Sequence, residues 1–157
     1  MSVLHVREVT SDADWAAVRA VREAVFVREQ ACPPEEEWDA YDAPEARGRT
    51  VHHLLGAVGG ETAACARWRP VETDGGAAAK LERFAVLAPF RGRGFGHDLV
   101  AATLAEARAG GFARFVLSAQ SHLTGFYGSF GFEPVGERFW EVGIEHVKMT
   151  LADPVGR

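Results

Sequence analysis

The chain has 157 residues, of which 47% are hydrophobic and 25% charged, and these values predict one globular domain over residues 1–157 rather than a disordered chain. Its 17 basic and 22 acidic residues give a net charge of −5, which argues against a phosphate backbone as a partner, so we expect no nucleic acid. The two cysteines lack metal-ligand spacing, so we expect no metal site. We also expect a cytoplasmic protein without membrane contact, because the sequence shows no apolar run of membrane length and no signal-like start.

The first half of the chain predicts one helix among several strands. Ser11 is a typical N-cap, and apolar residues at helical spacing continue to about Gln30, where Cys32-Pro33-Pro34 ends the helix. An acidic connection over 34–49 is long enough to be functional. Alternating or apolar runs bounded by glycine turns predict the strands 3–9, 52–58, 62–68 and 80–87.

Helices alternate with strands only in the second half. A helix is predicted from Phe95 to Gly110, where paired glycines form its C-terminus, and a shorter one over 121–130. The predicted strands here are 114–119, 132–140 and 146–151. This order predicts a mixed sheet of the α/β or α+β class rather than an all-parallel one.

A basic glycine loop, Arg91 to Gly96, lies between a predicted strand and a predicted helix. Glycines let the backbone approach a ligand closely, and the free amides of a helix N-terminus attract phosphate. The lysine and hydroxyl of a nucleotide P-loop are absent, and the loop comes too late in the chain for a dinucleotide fold. The pyrophosphate of coenzyme A and a plain surface turn carrying two arginines are the remaining interpretations.

Three segments in order make the chain resemble the GNAT superfamily of acetyltransferases. They are Leu81-Glu82-Arg83-Phe84-Ala85-Val86, Arg91-x-x-Gly94-x-Gly96 and Phe126-Tyr127-Gly128-Ser129-Phe130-Gly131-Phe132. Segments 27–33, 119–123 and 143–149 are similar to the ElaA-like branch of that superfamily, so the resemblance covers nearly the whole chain.

The resemblance implies a V-shaped, mostly antiparallel sheet of six to seven strands flanked by helices, with acetyl-CoA as the acyl donor. A bulge in the strand that carries Phe84 would expose backbone groups to the pantetheine arm. Gln120 stands where many relatives have asparagine. The implied cofactor-binding residues are Phe84, Ala85, Val86, Arg91, Gly92, Arg93, Gly94, Phe95, Gly96, His97 and Gln120.

Two residues are predicted to be catalytic. Tyr127 matches the family tyrosine that protonates the departing thiolate, whereas the alternative is an aromatic core residue. Period-two alternation places Glu82 on the face of Phe84, where its carboxylate is either the general base or a salt-bridged strand residue. His122 and His146 either relay protons or serve packing and surface roles.

The predicted function is acetyl transfer from acetyl-CoA to a primary amine, by direct attack in a ternary complex. Glu36, Glu37 and Trp38 in the acidic connection are candidates for binding a cationic small-molecule amine, or else form a solvated loop. A CoA-binding sensor without turnover and an acyltransferase for longer chains are the alternatives. Exposed sheet edges also lead us to expect that a homodimer can form.

Overall fold

A computed structural model describes residues 2–154, so residues 1 and 155–157 of the predicted domain lie outside the described part. Within that part, seven strands form one sheet in the order β1-β2-β3-β4-β5-β7-β6. All neighbours are antiparallel except β4 and β5. The strands are β1 Leu4–Glu8, β2 His52–Val58, β3 Glu61–Thr73, β4 Gly76–Val86, β5 Arg114–Gln120, β6 Glu133–Glu141 and β7 Ile144–Ala152. The predicted mixed, mostly antiparallel sheet is confirmed.

The parallel pair β4 and β5 opens the sheet into a V. Within residues 2–154, the two strands are in register only at Ala79–Phe115 and Lys80–Val116. Beyond Lys80 they separate, and the segment Leu81–Val86 of β4 has lost its neighbour on that side. Backbone N–H and C=O groups along this edge are therefore available to a ligand.

A β-bulge lies in β4 at the point where the strands separate. Cys65 pairs with Ala85 and Arg67 pairs with Glu82, so two residues of β4 stand opposite Ala66 alone. Arg83, one of the two, has a φ of 60°, which a non-glycine residue adopts only when its surroundings hold it there. The bulge expected from the family resemblance is present.

Four helices complete the described part: α1 Asp12–Arg22, α2 Pro34–Glu37, α3 Phe95–Ala109 and α4 Thr124–Gly128. Helix α1 begins at Ser11, whose hydroxyl accepts the amide of Asp14 at 3.1 Å, and continues as a π-helical segment, Glu23–Glu29. The predicted helix to about Gln30 is thus confirmed. Residues 2–154 contain no helix with the length and apolar character that a membrane crossing requires.

Two apolar clusters cover the two faces of the sheet. On one face α3 packs through Leu99, Val100 and Leu104 onto a cluster that includes Tyr127. On the other face α1 packs through Val18 and Val21. Burying apolar side chains on both faces fixes which side of each strand faces which helix.

Two predicted boundaries were wrong. Strand β3 extends to Thr73 instead of ending near Trp68, because its partner β4 continues the ladder to the turn at Gly76 although the residues are polar. The predicted helix over 121–130 is a 3₁₀ turn, Ser121–Leu123, followed by the short α4.

His53 makes the stability of the fold dependent on pH. Its side chain is buried, its Nε2 lies 3.1 Å from the carbonyl oxygen of Tyr41, and burial lowers its pKa from 6.5 to about 4. Between these two values the unfolded chain binds the proton more tightly than the folded chain, so acid destabilises the fold. The free energy of unfolding should fall by about 3 kcal/mol between pH 7 and pH 4 on this account alone. Urea unfolding across this range should show a shallower fall in His53→Gln, which keeps the donor to Tyr41; equal pH slopes would contradict the assignment.

Candidate functional site

An open cleft of about 900 Å³ lies where β4 and β5 separate. One wall is β4 from Lys80 to Phe84, and the opposite wall is the end of β5 with α4. The π-helical segment and α2 border the cleft at one end, and the β6–β7 turn borders it at another. Among the predicted residues, the cleft brings together Glu36, Glu37, Glu82, Phe84, Arg91, Gln120 and Tyr127.

Tyr127 lines the cleft from α4 and is 7% exposed. Its ring packs against Phe126, with centroids 5.1 Å apart, and faces Phe84 across 6.1 Å. Burial raises the pKa of Tyr127 to about 12, because the phenolate would be poorly solvated here. The phenol therefore stays protonated at neutral pH and can donate a proton into the cleft.

Glu82 is an ion-paired carboxylate. Its Oε1 accepts hydrogen bonds from Arg67 Nε at 3.1 Å and from Arg69 Nε at 2.7 Å. Burial by itself raises the pKa of Glu82, but the charge of Arg67 and the bond from Arg69 together hold it below its ordinary value. A carboxylate with a lowered pKa is a weak proton acceptor.

The predicted common face of Glu82 and Phe84 was wrong. Glu82 bonds to Arg67, which reaches the acidic segment around Asp39, while Phe84 packs with Tyr127 in the cluster on the α3 face. The bulge is the reason, since one extra residue at Arg83 reverses the alternation that the sequence suggested.

A buried ion network ties the acidic connection to the bulge. Arg22 bonds Asp42 at 2.5 Å and the backbone oxygen of Glu37 at 2.9 Å, and Arg83 Nε lies 2.7 Å from a carboxylate oxygen of Glu37. Arg67 bonds both Asp39 and Asp42, at 2.6 and 3.1 Å. These contacts hold the border of the cleft against β3 and β4.

The acidic segment is thus divided in its roles. Glu36 is exposed and lines the cleft, as a contact for a cationic amine must. Glu37 borders the cleft but is buried and paired with Arg22 and Arg83. Trp38 does not line the cleft, and the guanidinium groups of Arg19 and Arg22 lie 4.5 and 4.6 Å from its ring centroid. For Trp38, the expected contact with a substrate is not supported by its position.

The glycine loop has the backbone that its sequence predicts. Gly92 and Gly94 have φ of 76° and 81°, conformations that favour glycine, and Gly94 caps α3 without any side-chain hydrogen bond. The helical ladder of α3 begins with the amide of Asp98, which donates to Gly94 at 3.2 Å. The amides of residues 95–97 therefore have no acceptor within the helix and can serve an anion.

The arginines of the loop are already engaged. Arg91 donates from Nε to the carbonyl of Val86 at 2.8 Å and pairs with Glu29 at 2.7 Å. The guanidinium of Arg93 lies 5.4 Å from the ring centroid of Phe90 and 5.1 Å from that of Phe95. The partner at Glu29 neutralises much of the charge of Arg91 that phosphate binding would use.

The other predicted cofactor contacts differ in what they can offer. Gln120 lines the cleft and donates to the side chain of Gln30 at 3.2 Å. Ala85 and Phe95 have buried side chains, and His97 stacks on Phe130 with centroids 4.5 Å apart. For Ala85 and Phe95, the groups that can reach a ligand are backbone atoms.

Sequence reasoning gave no binding role to the β6–β7 turn. Trp140, Glu141 and Val142 line the cleft together with His146 of β7, the candidate proton relay, and Trp140 is 70% exposed. A large aromatic residue just before a glycine turn, in the segment Trp140-Glu141-Val142-Gly143, was the available signal. This segment is distant in the sequence from the other site residues, so the sequence alone did not show that it borders the cleft.

Comparison with known proteins gives one family. The family model described as an acetyltransferase (GNAT) domain matches residues 26–152. The chain is similar to the uncharacterised N-acetyltransferase YjcF of Bacillus subtilis, at 35% identity over 82% of this chain and 86% of that protein.

Solved structures show the same fold. The crystal structure of Escherichia coli ElaA has 32% identity and a TM-score of 0.78, covering 96% of this chain and 99% of that one. A GNAT family acetyltransferase from Brucella melitensis, solved in complex with acetyl-CoA, has 26% identity and a TM-score of 0.72, covering 96% and 88%.

Removing the central guanidinium of the ion network should destabilise the protein strongly. Arg67→Ala removes the one buried guanidinium that Asp39, Asp42 and Glu82 share, and we expect a loss of about 3–5 kcal/mol in the free energy of unfolding. Arg138→Ala is the control, because the side chains of the Arg138–Glu145 ion pair are 53% and 40% exposed and its loss should cost far less. Urea unfolding at pH 7 measures both; similar losses for the two variants would refute the structural role of Arg67.

Proposed function

Since this chain belongs to the GNAT acetyltransferase family, we propose that it transfers the acetyl group of acetyl-CoA to a primary amine of a small molecule. The observation that carries the proposal is the separation of β4 from β5, which lines one cleft with unpaired backbone of β4 and with the phenol of Tyr127. The Brucella relative that was solved with acetyl-CoA supports the choice of donor.

The donor would bind along β4 and the start of α3. Its pyrophosphate would accept hydrogen bonds from the amides of residues 92–97, which Gly92 and Gly94 expose and which no side chain caps. Its pantetheine amides would pair with the free edge of Leu81–Val86, as an added strand would. Phe84 and Gln120 line the space that remains for the thioester arm.

The amine would attack the thioester carbonyl directly, without an acyl-enzyme. Burial raises the pKa of both cysteines, that of Cys65 to about 12, so neither thiol, including that of Cys32 in the cleft, is an activated nucleophile. A backbone N–H of β4 near Val86 would stabilise the developing oxyanion. Tyr127 would then protonate the departing thiolate, for which its raised pKa keeps it in the acid form.

The acceptor would enter from the side bordered by α2 and the β6–β7 turn. A cleft of about 900 Å³ suits a small molecule, and exposed Glu36 and Glu141 at its border attract a cation. The role of Glu82 as general base stays a prediction, which its two arginine partners weaken. Glu82 does fix β3 to β4 beside the bulge.

The direct test is release of free CoA thiol from acetyl-CoA with a panel of polyamines, amino sugars, aminoglycosides, amino acids and peptides with free N-termini. Release that depends on one class of amine, with an acetylated product seen by mass spectrometry, would support transfer. Binding of acetyl-CoA without release for any amine would instead indicate a sensor.

The anion site has its own test by calorimetry. Gly94→Asp places a carboxylate on the amides that would hold the pyrophosphate, so we expect binding of acetyl-CoA to weaken at least about tenfold. Gly111→Asp is a matched control, because Gly111 also has a positive φ, 96°, but lies beyond the other end of α3. Equal effects of the two substitutions would place the pyrophosphate elsewhere.

Removing the phenolic hydroxyl should slow transfer without weakening the donor. Tyr127→Phe keeps the packing against Phe126 but cannot protonate the thiolate, and we expect kcat to fall about 100-fold. The dissociation constant for acetyl-CoA should change little. Since the pKa of Tyr127 is raised to about 12, wild-type kcat should show no fall from its ionisation up to pH 10. An unchanged kcat in the variant would remove this role.

A further inference from the structure

His146 lies on the side of the sheet from which the acceptor would enter. It is a buried residue of β7, it lines the cleft, and it stands opposite Gln120 on β5 and Phe139 on β6. The next residue, Val147, packs into the cluster on the α3 face, so His146 points to the other face. Tyr127 belongs to the α3-face cluster, and the two side chains therefore reach the cleft from opposite sides.

The backbone fixes which nitrogen of His146 carries the proton. Nδ1 lies 2.8 Å from the carbonyl oxygen of Ile144, a distance that requires a hydrogen between them because a carbonyl only accepts. The neutral ring must therefore be protonated at Nδ1. Its Nε2 then carries a lone pair, and the ring is held in place by stacking on Phe139 with centroids 5.7 Å apart.

A second acceptor lies near that lone pair. Oε2 of Glu141 is 3.8 Å from Nε2, too far for a direct hydrogen bond. Two acceptors at this spacing can share one amine group that donates an N–H to each. Glu141 is largely exposed, so an amine can approach it from solvent.

We propose that His146 is the general base of the acetyl transfer, an inference that rests on the proposed function and assigns its missing proton acceptor. The ammonium first loses one proton to solvent, and the neutral amine nitrogen then forms a bond to the thioester carbon while a second proton passes from it to Nε2 of His146. The carbon–sulfur bond then breaks, and the thiolate takes the proton of Tyr127. Return of the proton from His146 to the tyrosinate through solvent restores the enzyme and leaves an amide and free CoA.

The surroundings of His146 suit this role better than those of Glu82. Of the charged and titratable groups that line the cleft with it, Glu141 from β6 has an oxygen 3.8 Å from its Nε2, and His122 lies in the turn after β5; Lys148 stands two residues further along β7. The carboxylate of Glu141 stabilises the imidazolium that forms. Glu82, in contrast, is held by two guanidinium groups that oppose its protonation.

The experiment compares His146→Asn with Glu82→Gln and with the control His5→Asn. Asparagine keeps a donor for the carbonyl of Ile144 but lacks Nε2, and His5 is exposed on the edge strand β1. With the panel amine that the wild type acetylates fastest, kcat/KM should fall about 100-fold in His146→Asn. The dependence of kcat/KM on pH should differ from that of the wild type in His146→Asn and should match it in Glu82→Gln.

Three further readouts separate a base from a structural residue. Binding of acetyl-CoA to His146→Asn should match the wild type, and added imidazole should restore activity to His146→Ala. Nitrogen-15 NMR of the neutral wild-type ring should show protonated Nδ1 and unprotonated Nε2, a result that needs no amine. The proposal would be overturned by any of three results: an unchanged pH profile of kcat/KM in His146→Asn, weaker binding of acetyl-CoA by this variant, or a protonated Nε2 in the neutral wild-type ring. If the proposed acetyl transfer itself is wrong, the wild-type protein will release no thiol with any amine, and this result is distinct from those that test His146.

Discussion

The separation of two parallel strands is the constraint on which the rest of the structure depends. β4 and β5 share register at Ala79 and Lys80 and then part, although parallel strands gain hydrogen bonds by staying together. Two features oppose further pairing. The bulge at Arg83 changes the direction of the edge of β4, and the ion pair of Arg83 with Glu37 holds the bulge against the acidic connection. Keeping the strands apart leaves backbone groups of β4 available, and a donor that adds itself as a strand would satisfy them.

Buried charge has an organising role here. Arg22 and Arg67 are almost completely buried, and each is matched by carboxylates from the segment 37–42. Such pairs contribute little net stability compared with apolar packing, but losing one partner is costly, so they specify one arrangement of the segment. Arg67, together with Arg69, keeps Glu82 in its ionised form, which makes Glu82 part of this ion network. In the proposed reaction, the groups that transfer protons lie outside this network.

The site divides into two sides with different chemistry. On the α3 face, glycine-exposed amides and the phenol of Tyr127 suit a phosphorylated donor and a leaving thiolate. On the opposite face, exposed carboxylates and the imidazole of His146 suit a cationic amine and its proton. Bond formation and bond cleavage occur on different sides of the reacting carbon, so an acid and a base on opposite faces match the reaction.

The sequence by itself determined those features that depend on residues close together in the chain. The glycine loop before α3, the cap at Ser11 and the order of strands and helices all followed from residue type and spacing, because turns, caps and periodicity depend on near neighbours. Tertiary structure decided the rest. The bulge turned Glu82 away from Phe84, two arginines covered Trp38, and His146 met the cleft through its neighbours on β5 and β6. These outcomes depend on contacts between residues distant in the chain, which no local pattern encodes.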